Sequence, residues 1–137
     1  MMMVNKEQAF KILSNLYQDI LVDMKTEKIS NYFSDKYNQT TDGVTTDIHE
    51  FTNHIFVLKD VVEKLSISPF YDFLFDEDKQ TATLRYIVTV DKKDGNRGEI
   101  EVIAIFEFDG DKIVRCHEQS HPLNQNEDFK HLAKINY

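Results

Sequence analysis

The densest run of chemically competent side chains in this sequence is Arg115-Cys116-His117-Glu118-Gln119-Ser120-His121. Its core spells H-E-x-x-H, the spacing by which a helix brings two histidines onto one zinc ion. Here the run follows Lys112-Ile113-Val114-Arg115, which reads as a strand, and Pro122 comes directly after it. On a strand, residues four apart lie about 13 Å from each other. Two nitrogens that each sit about 2.1 Å from one zinc cannot be so distant, so the match carries no metal site. Elsewhere the chemistry rests on single residues. His54 stands beside Phe51 and Leu58 but off the main stripe, where a lone histidine reads as a satisfied structural residue. Tyr86 lies between Leu84 and Val88, as a pocket donor or as a core residue whose hydroxyl finds a partner. Cys116 has no cationic helix start nearby to activate it. Asn38-Gln39-Thr40 fits a glycosylation acceptor, but nothing indicates secretion. Only 4 glycines are present, none in a phosphate-cradling loop, and no Ser/His/Asp ordering stands out.

The chain that must position these groups has 137 residues, the length of one ordinary domain with room for a core. With 16 Lys+Arg against 24 Asp+Glu its net charge is −8, which disfavours a nucleic-acid footprint. A single cysteine excludes an internal disulfide, and the amino terminus has no apolar run suited to a signal peptide. A cytoplasmic protein that meets neither membrane nor nucleic acid is expected. One domain is expected over 1–123, with a polar tail over 124–137.

The first half reads helical. Phe10, Leu13, Leu16, Tyr17, Ile20, Leu21 and Met24 recur at three- and four-residue spacing, and Asn5 with Gln8 forms a capping box at the start. A short helix is expected over Glu27 to Phe33, then a short strand at Tyr37–Thr41 closing on Asp42-Gly43. Ile48, Phe51, Ile55, Leu58, Val62 and Leu65 form a second helical stripe, capped by Asp47 with Glu50. The second half reads as strands near Ile67–Asp76, Thr81–Asp91, Gly98–Asp109 and Lys112–Ser120, joined by polar turns as an antiparallel meander.

Helices followed by a long antiparallel sheet make an α+β fold. In the strand near Gly98–Asp109, parity sends Ile100, Val102, Ala104, Phe106 and Phe108 towards the helices. Ile103 and Ile105 then join glutamates on the opposite face, and Ile87 does the same on the preceding strand. They are either scattered exposed apolar residues or the seam of a sheet-to-sheet homodimer, and the agreement of two strands favours the dimer. Tyr71, Phe73 and Phe75 alternate and read as core.

In this order, three stretches resemble the nuclear transport factor 2-like superfamily, within it the SnoaL-like and ketosteroid-isomerase-like branches. They are Tyr32-Phe33-Ser34-Asp35-Lys36-Tyr37, Ile48-His49-Glu50-Phe51, and Phe106 to Arg115 continuing to Pro122-Leu123. The resemblance covers Gln8 to Leu123. It implies three helices packed on a strongly curved, mostly antiparallel sheet that forms a cone-shaped pocket, a cystatin-like α+β roll. It implies acid/base chemistry without a cofactor (isomerase, cyclase, dehydratase or hydrolase type) on a small apolar or aromatic organic ligand. Its alternative is a non-catalytic ligand-binding or interaction module.

Carried over by position, the resemblance places Thr40 where the isomerases have their carboxylate base and Ala104 where they have a second, protonated carboxyl. Threonine cannot abstract a proton near neutral pH and alanine cannot donate one, so steroid isomerisation is not expected. Tyr17 matches the remaining tyrosine donor, and Thr52 stands where the isomerases have a pocket tyrosine. Asn38 and Thr40 then share the inward face of the first strand, to bond a ligand or to satisfy the strand end. The SnoaL-like cyclases place an acid/base carboxylate on the last strand. By the same parity Cys116, Glu118 and Ser120 face the pocket with Phe106, while His117 and Gln119 face away. Glu118 is the expected catalytic residue, its carboxyl raised by an apolar pocket; the alternative is a rim carboxylate paired with Arg115 or Lys112. Catalytic roles thus fall on Glu118, Tyr17 and His54, with Asn38, Thr40, Thr52, Tyr86, Ala104, Phe106, Cys116 and Ser120 lining the pocket.

Overall fold

The computed structural model describes residues 3–123, so the expected tail over 124–137 lies outside the described residues. The first helix, α1 (Lys6–Leu16), starts where the sequence placed its cap. The Asn5 side chain accepts from the Gln8 N–H at 2.8 Å, and Gln8 Oε1 accepts from the Asn5 N–H at 2.9 Å. Its buried face is Ala9, Leu13 and Leu16. Phe10, expected on that face, is 46% exposed and packs edge-on against Phe70 and Phe73 at 5.6 and 5.2 Å. Beyond Leu16 the chain winds on as a π-helix, Tyr17–Val22, in which the Asp23 N–H donates to the Gln18 carbonyl five residues back. The short helix expected over Glu27 to Phe33 is a 3₁₀ turn (Thr26–Lys28) running into α2 (Ile29–Tyr32), and Phe33 already begins a strand.

That strand, β1 (Phe33–Thr41), turns at Asp42-Gly43 into β2 (Val44–Asp47). The helix α3 (Ile48–Val61) follows, with the expected Asp47–Glu50 capping box and with Phe51, Ile55 and Leu58 buried. Its expected extension to Leu65 is instead a strand, β3 (Val62–Ile67). Then come β4 (Asp72–Asp76), β5 (Thr81–Lys92), β6 (Arg97–Asp109) and β7 (Lys112–Pro122). The strand order is β2-β1-β7-β6-β5-β3, with β4 also on β5. Among the described residues only the β1–β7 pairing is parallel, so the sheet is mixed and mostly antiparallel, with β4 to β7 as the expected meander.

The single strand expected over Ile67–Asp76 is divided. β3 and β4 occupy successive stretches of the same β5 edge, and Pro69, which has no N–H for the ladder, falls between them. Tyr71 in that interruption is 52% exposed, with the Arg85 guanidinium 5.1 Å from its ring centre, so it is not core. Phe73 and Phe75 are half-buried against the core.

The inward side chains of β5, β6 and β7 meet α1, the π-helix and α3 in one apolar cluster that includes Leu13, Ile20, Ile55, Leu84, Val102 and Ile113. The parity expected for β6 holds. Ile100, Val102, Ala104, Phe106 and Phe108 are buried, whereas Ile103 is 50% and Ile105 37% exposed on the outer face. Among the described residues, no helix is long and apolar enough to cross a membrane.

Candidate active site

Four elements converge where the inner face of the sheet meets the helices. β7 supplies Cys116 and Glu118, two apart and therefore on one face, while His117 and Gln119 between and beyond them are exposed. His117 and His121 thus belong to a strand, as expected from the chain around them, and no helical H-E-x-x-H geometry forms. The π-helix supplies Tyr17 and Leu21, β5 supplies Tyr86, and α3 supplies His54. Across the ladder Glu118 pairs with Ala104, whose methyl group is fully buried and leaves the carboxylate its space.

The two oxygens of the Glu118 carboxylate are treated differently. Oε1 accepts from the Thr41 hydroxyl at 2.9 Å and from Gln39 Nε2 at 3.3 Å. Gln39 Nε2 also donates to Thr41 Oγ1 at 2.8 Å, and Gln39 Oε1 accepts from the Tyr37 hydroxyl at 2.6 Å. A buried chain Tyr37–Gln39–Thr41 therefore ends on one oxygen. The other, Oε2, accepts from the weak Cys116 thiol donor at 3.9 Å.

Burial dominates the electrostatics. Desolvation raises the Glu118 carboxyl from the usual carboxylate range to about 7; the Thr41 hydrogen bond opposes the rise and the nearby Asp42 charge adds to it. Burial likewise pushes the Tyr17, Tyr37 and Tyr86 phenols and the Cys116 thiol well above their ordinary values, with the Glu118 charge reinforcing each. Near neutral pH these four groups are protonated, while Glu118 is divided between both forms. Tyr17 and Tyr86 lie edge to face with ring centres 4.7 Å apart.

Two small cavities, of about 70 and about 50 Å³, adjoin this cluster, and both are walled by Leu21, His54, Tyr86 and Glu118. The larger continues along aliphatic side chains of β5 and β6; the smaller is closed by Tyr17, Tyr37, Phe106 and Cys116. Their walls are otherwise apolar, so a ligand would meet a few convergent polar atoms in a hydrophobic shell. Among the described residues, no group of three or more His, Cys, Asp or Glu side chains is arranged to hold a metal.

The structure therefore brings together Glu118, Tyr17, His54, Tyr86, Phe106 and Cys116, with Ala104 behind the carboxylate. The rim alternative for Glu118 fails, because Arg115 pairs with Glu107 at 2.6 Å and Lys112 Nζ donates to the Ser30 and Asn31 carbonyls. Four expected pocket positions are corrected. Asn38 and Thr40 lie on the opposite face of β1, where Thr40 shares a 2.9 Å hydroxyl contact with Thr45 of β2. Their neighbours Tyr37, Gln39 and Thr41 are the inward set, a one-residue shift in parity. Thr52 spends its hydroxyl on the Ile48 carbonyl one turn back, at 2.8 Å. Ser120 shares the face of Glu118 but is tied off at the rim. Its N–H donates to Asp42 Oδ1 at 2.7 Å and its hydroxyl to Asp42 Oδ2. Gln39, Thr41 and Asp42 were missed by sequence reasoning, although the alternation Tyr37-Gln39-Thr41 was available as a signal.

No protein-family model and no curated protein matches the sequence. Solved structures do match. AusH from Aspergillus nidulans superposes with a TM-score of 0.77 at 13% identity, covering 89% of this chain and 89% of that one. A putative polyketide cyclase from Acidithiobacillus ferrooxidans gives 0.72 at 12% identity over 96% and 99% of the two chains. An LEH-like epoxide hydrolase from M. tuberculosis gives 0.70 at 10% identity over 85% and 80%. At such identities the likeness is one of fold, and the chain has the α+β fold of the nuclear transport factor 2-like superfamily that its sequence resembles.

Proposed function

We propose that the protein is a cofactor-independent acid/base enzyme acting on a small, largely apolar organic molecule, with Glu118 as the proton shuttle. The observation that carries this reading is one carboxylate with unequal oxygens. Oε1 is anchored by Thr41 and Gln39, Oε2 has the weak Cys116 thiol beside it, and the residue lines both cavities. A carboxyl near neutrality can take a proton as base and return it as acid within one turnover, the behaviour required for isomerisation, dehydration, cyclisation or epoxide opening. Tyr17 and Tyr86, both held protonated, supply donors for negative charge developing on a substrate oxygen. His54 reaches the same cavities from α3 and is the second proton-transfer candidate. The neighbours described as a polyketide cyclase and an epoxide hydrolase agree in class with such chemistry.

The test uses small methyl ketones in D₂O, with deuterium incorporation beside the carbonyl followed by NMR. Exchange should be catalysed by the native protein and fall by about 10²-fold or more in Glu118→Gln. Equal exchange by both proteins would remove Glu118 from the mechanism.

The outer sheet face supports a second, compatible proposal. Ile103 and Ile105 are exposed on adjacent outward positions of β6, with half-buried Ile87 beside them on β5. A second copy of the chain would cover this patch, giving a homodimer through the sheet. A cytoplasmic setting is supported by the unpaired, buried Cys116 and by the net charge of −8.

A further inference from the structure

The hydrogen-bonded chain that ends on Glu118 has a direction, and that direction decides where the carboxyl can carry its proton. Tyr37, Gln39 and Thr41 are buried at alternate positions of β1, so their side chains stand on one face of the strand. β1 runs parallel to β7, which pairs Thr41 with Glu118 in the ladder.

The orientation of the Gln39 amide follows from counting hydrogens. With its oxygen towards Tyr37, Gln39 Oε1 accepts from the phenol at 2.6 Å. Its Nε2 then donates to Thr41 Oγ1 at 2.8 Å and to Glu118 Oε1 at 3.3 Å. The Thr41 hydroxyl donates to Glu118 Oε1 at 2.9 Å. Every polar hydrogen of the three side chains has an acceptor. Turning the amide by half a turn undoes this. One N–H would meet the Tyr37 oxygen, and the other would find no acceptor among these groups. The amide oxygen would face both Thr41 and Glu118 Oε1, and the single Thr41 hydrogen could serve only one of them. A buried donor without a partner bears its full desolvation cost, so the direction towards Glu118 holds in both states of the carboxyl. Oε1 thus accepts two hydrogens, which fills its lone pairs, whereas Oε2 has the weak Cys116 thiol donor at 3.9 Å.

We infer that Gln39, oriented by Tyr37, is a positioning residue that reserves Oε1 as an acceptor and confines the exchangeable proton of Glu118 to Oε2. The inference rests on the acid/base reading of Glu118 and deepens it. One oxygen takes the proton from the substrate, and the same oxygen returns it.

Neutron diffraction from deuterated crystals of the full chain, held below the Glu118 midpoint of about 7, reads the position of the deuteron directly. It should lie on Oε2, with the two Gln39 amide deuterons directed at Thr41 and Glu118. A deuteron on Oε1, or a turned amide, would overturn the inference and leave the acid/base reading standing. A carboxylate with no deuteron in that crystal would remove both. Two variants test the consequence in solution, with deuterium incorporation into butanone as the readout. Tyr37→Phe keeps the ring and loses the donor that orients the amide, so the saturated exchange rate should fall roughly two- to tenfold with butanone affinity unchanged. Gln39→Glu puts an acceptor where the donors were and should lower that rate further. A native saturated rate in both folded variants, or a loss confined to affinity, would contradict the positioning role.

Discussion

At the residue scale, the properties of Glu118 follow from what its neighbours do to a proton. Its carboxyl is raised in the folded chain to about 7, whereas the unfolded chain has an ordinary carboxyl near 4.5. The folded state therefore holds the proton more tightly between those values. The stability from this group is fully present below about 4.5 and is lost as pH rises through about 7. Thermal melts between pH 4.5 and 8 should show that decline in the native protein and a flatter profile in Glu118→Gln. A decline of the same size in the variant would assign it to other groups. Thr41 opposes the rise by donating to Oε1 at 2.9 Å. Thr41→Val keeps the shape and loses that bond, so the Glu118 midpoint should move further upward. A downward or absent shift would contradict the hydrogen-bond assignment.

At the scale of elements, the two capping boxes and the parity of β6 were legible because each depends on residues close in sequence. Asp47 caps α3 through the Glu50 N–H at 2.9 Å, and Asp47→Ala should lower stability by about 1 kcal/mol in denaturant unfolding. A change below a few tenths would mean the cap is dispensable. Other features were not legible, for reasons that can be named. Val62 and Leu65 continue the three-residue stripe of α3, yet they lie in β3. The pairing with β5 shifts register between Val62 and Lys64, and that irregularity keeps residues three apart on the buried side of a strand. The first strand was misplaced for a different reason. There the positions came from the family alignment, one residue out of step with the chain's own alternation, which buries Tyr37, Gln39 and Thr41 and turns Asn38 and Thr40 outward. The π-helix was read as α because Leu16, Tyr17, Ile20 and Leu21 fit either winding. Gly43 has φ of +85° in the β1–β2 turn beside Asp42, the residue that ties Ser120 down. Gly43→Ala should cost roughly 1 kcal/mol by backbone strain although no atom lies within 4 Å of the added carbon.

At the scale of the whole molecule, one sheet has two uses. Its concave face buries a carboxylate among protonated tyrosines, and its convex face presents Ile103 and Ile105. If a second chain covers the convex face, Ile105→Lys should convert the assembly to a monomer in sedimentation velocity and leave the Glu118 site intact. A native protein that sediments as a monomer at high concentration would remove the dimer. The resemblance legible in the sequence reached the fold, and it singled out Glu118, whose carboxyl the structure desolvates on β7. It did not reach the Tyr37–Gln39–Thr41 chain, because that chain exists only once β1 is laid in parallel beside β7. The central claim is that this arrangement holds Glu118 poised to exchange a proton near neutral pH. The most direct measurement is the carboxyl-carbon NMR titration of Glu118 in the folded chain, with Glu118→Gln for assignment. The account predicts a midpoint at about 7. A midpoint near 4.5, where an unperturbed carboxyl titrates, would contradict it.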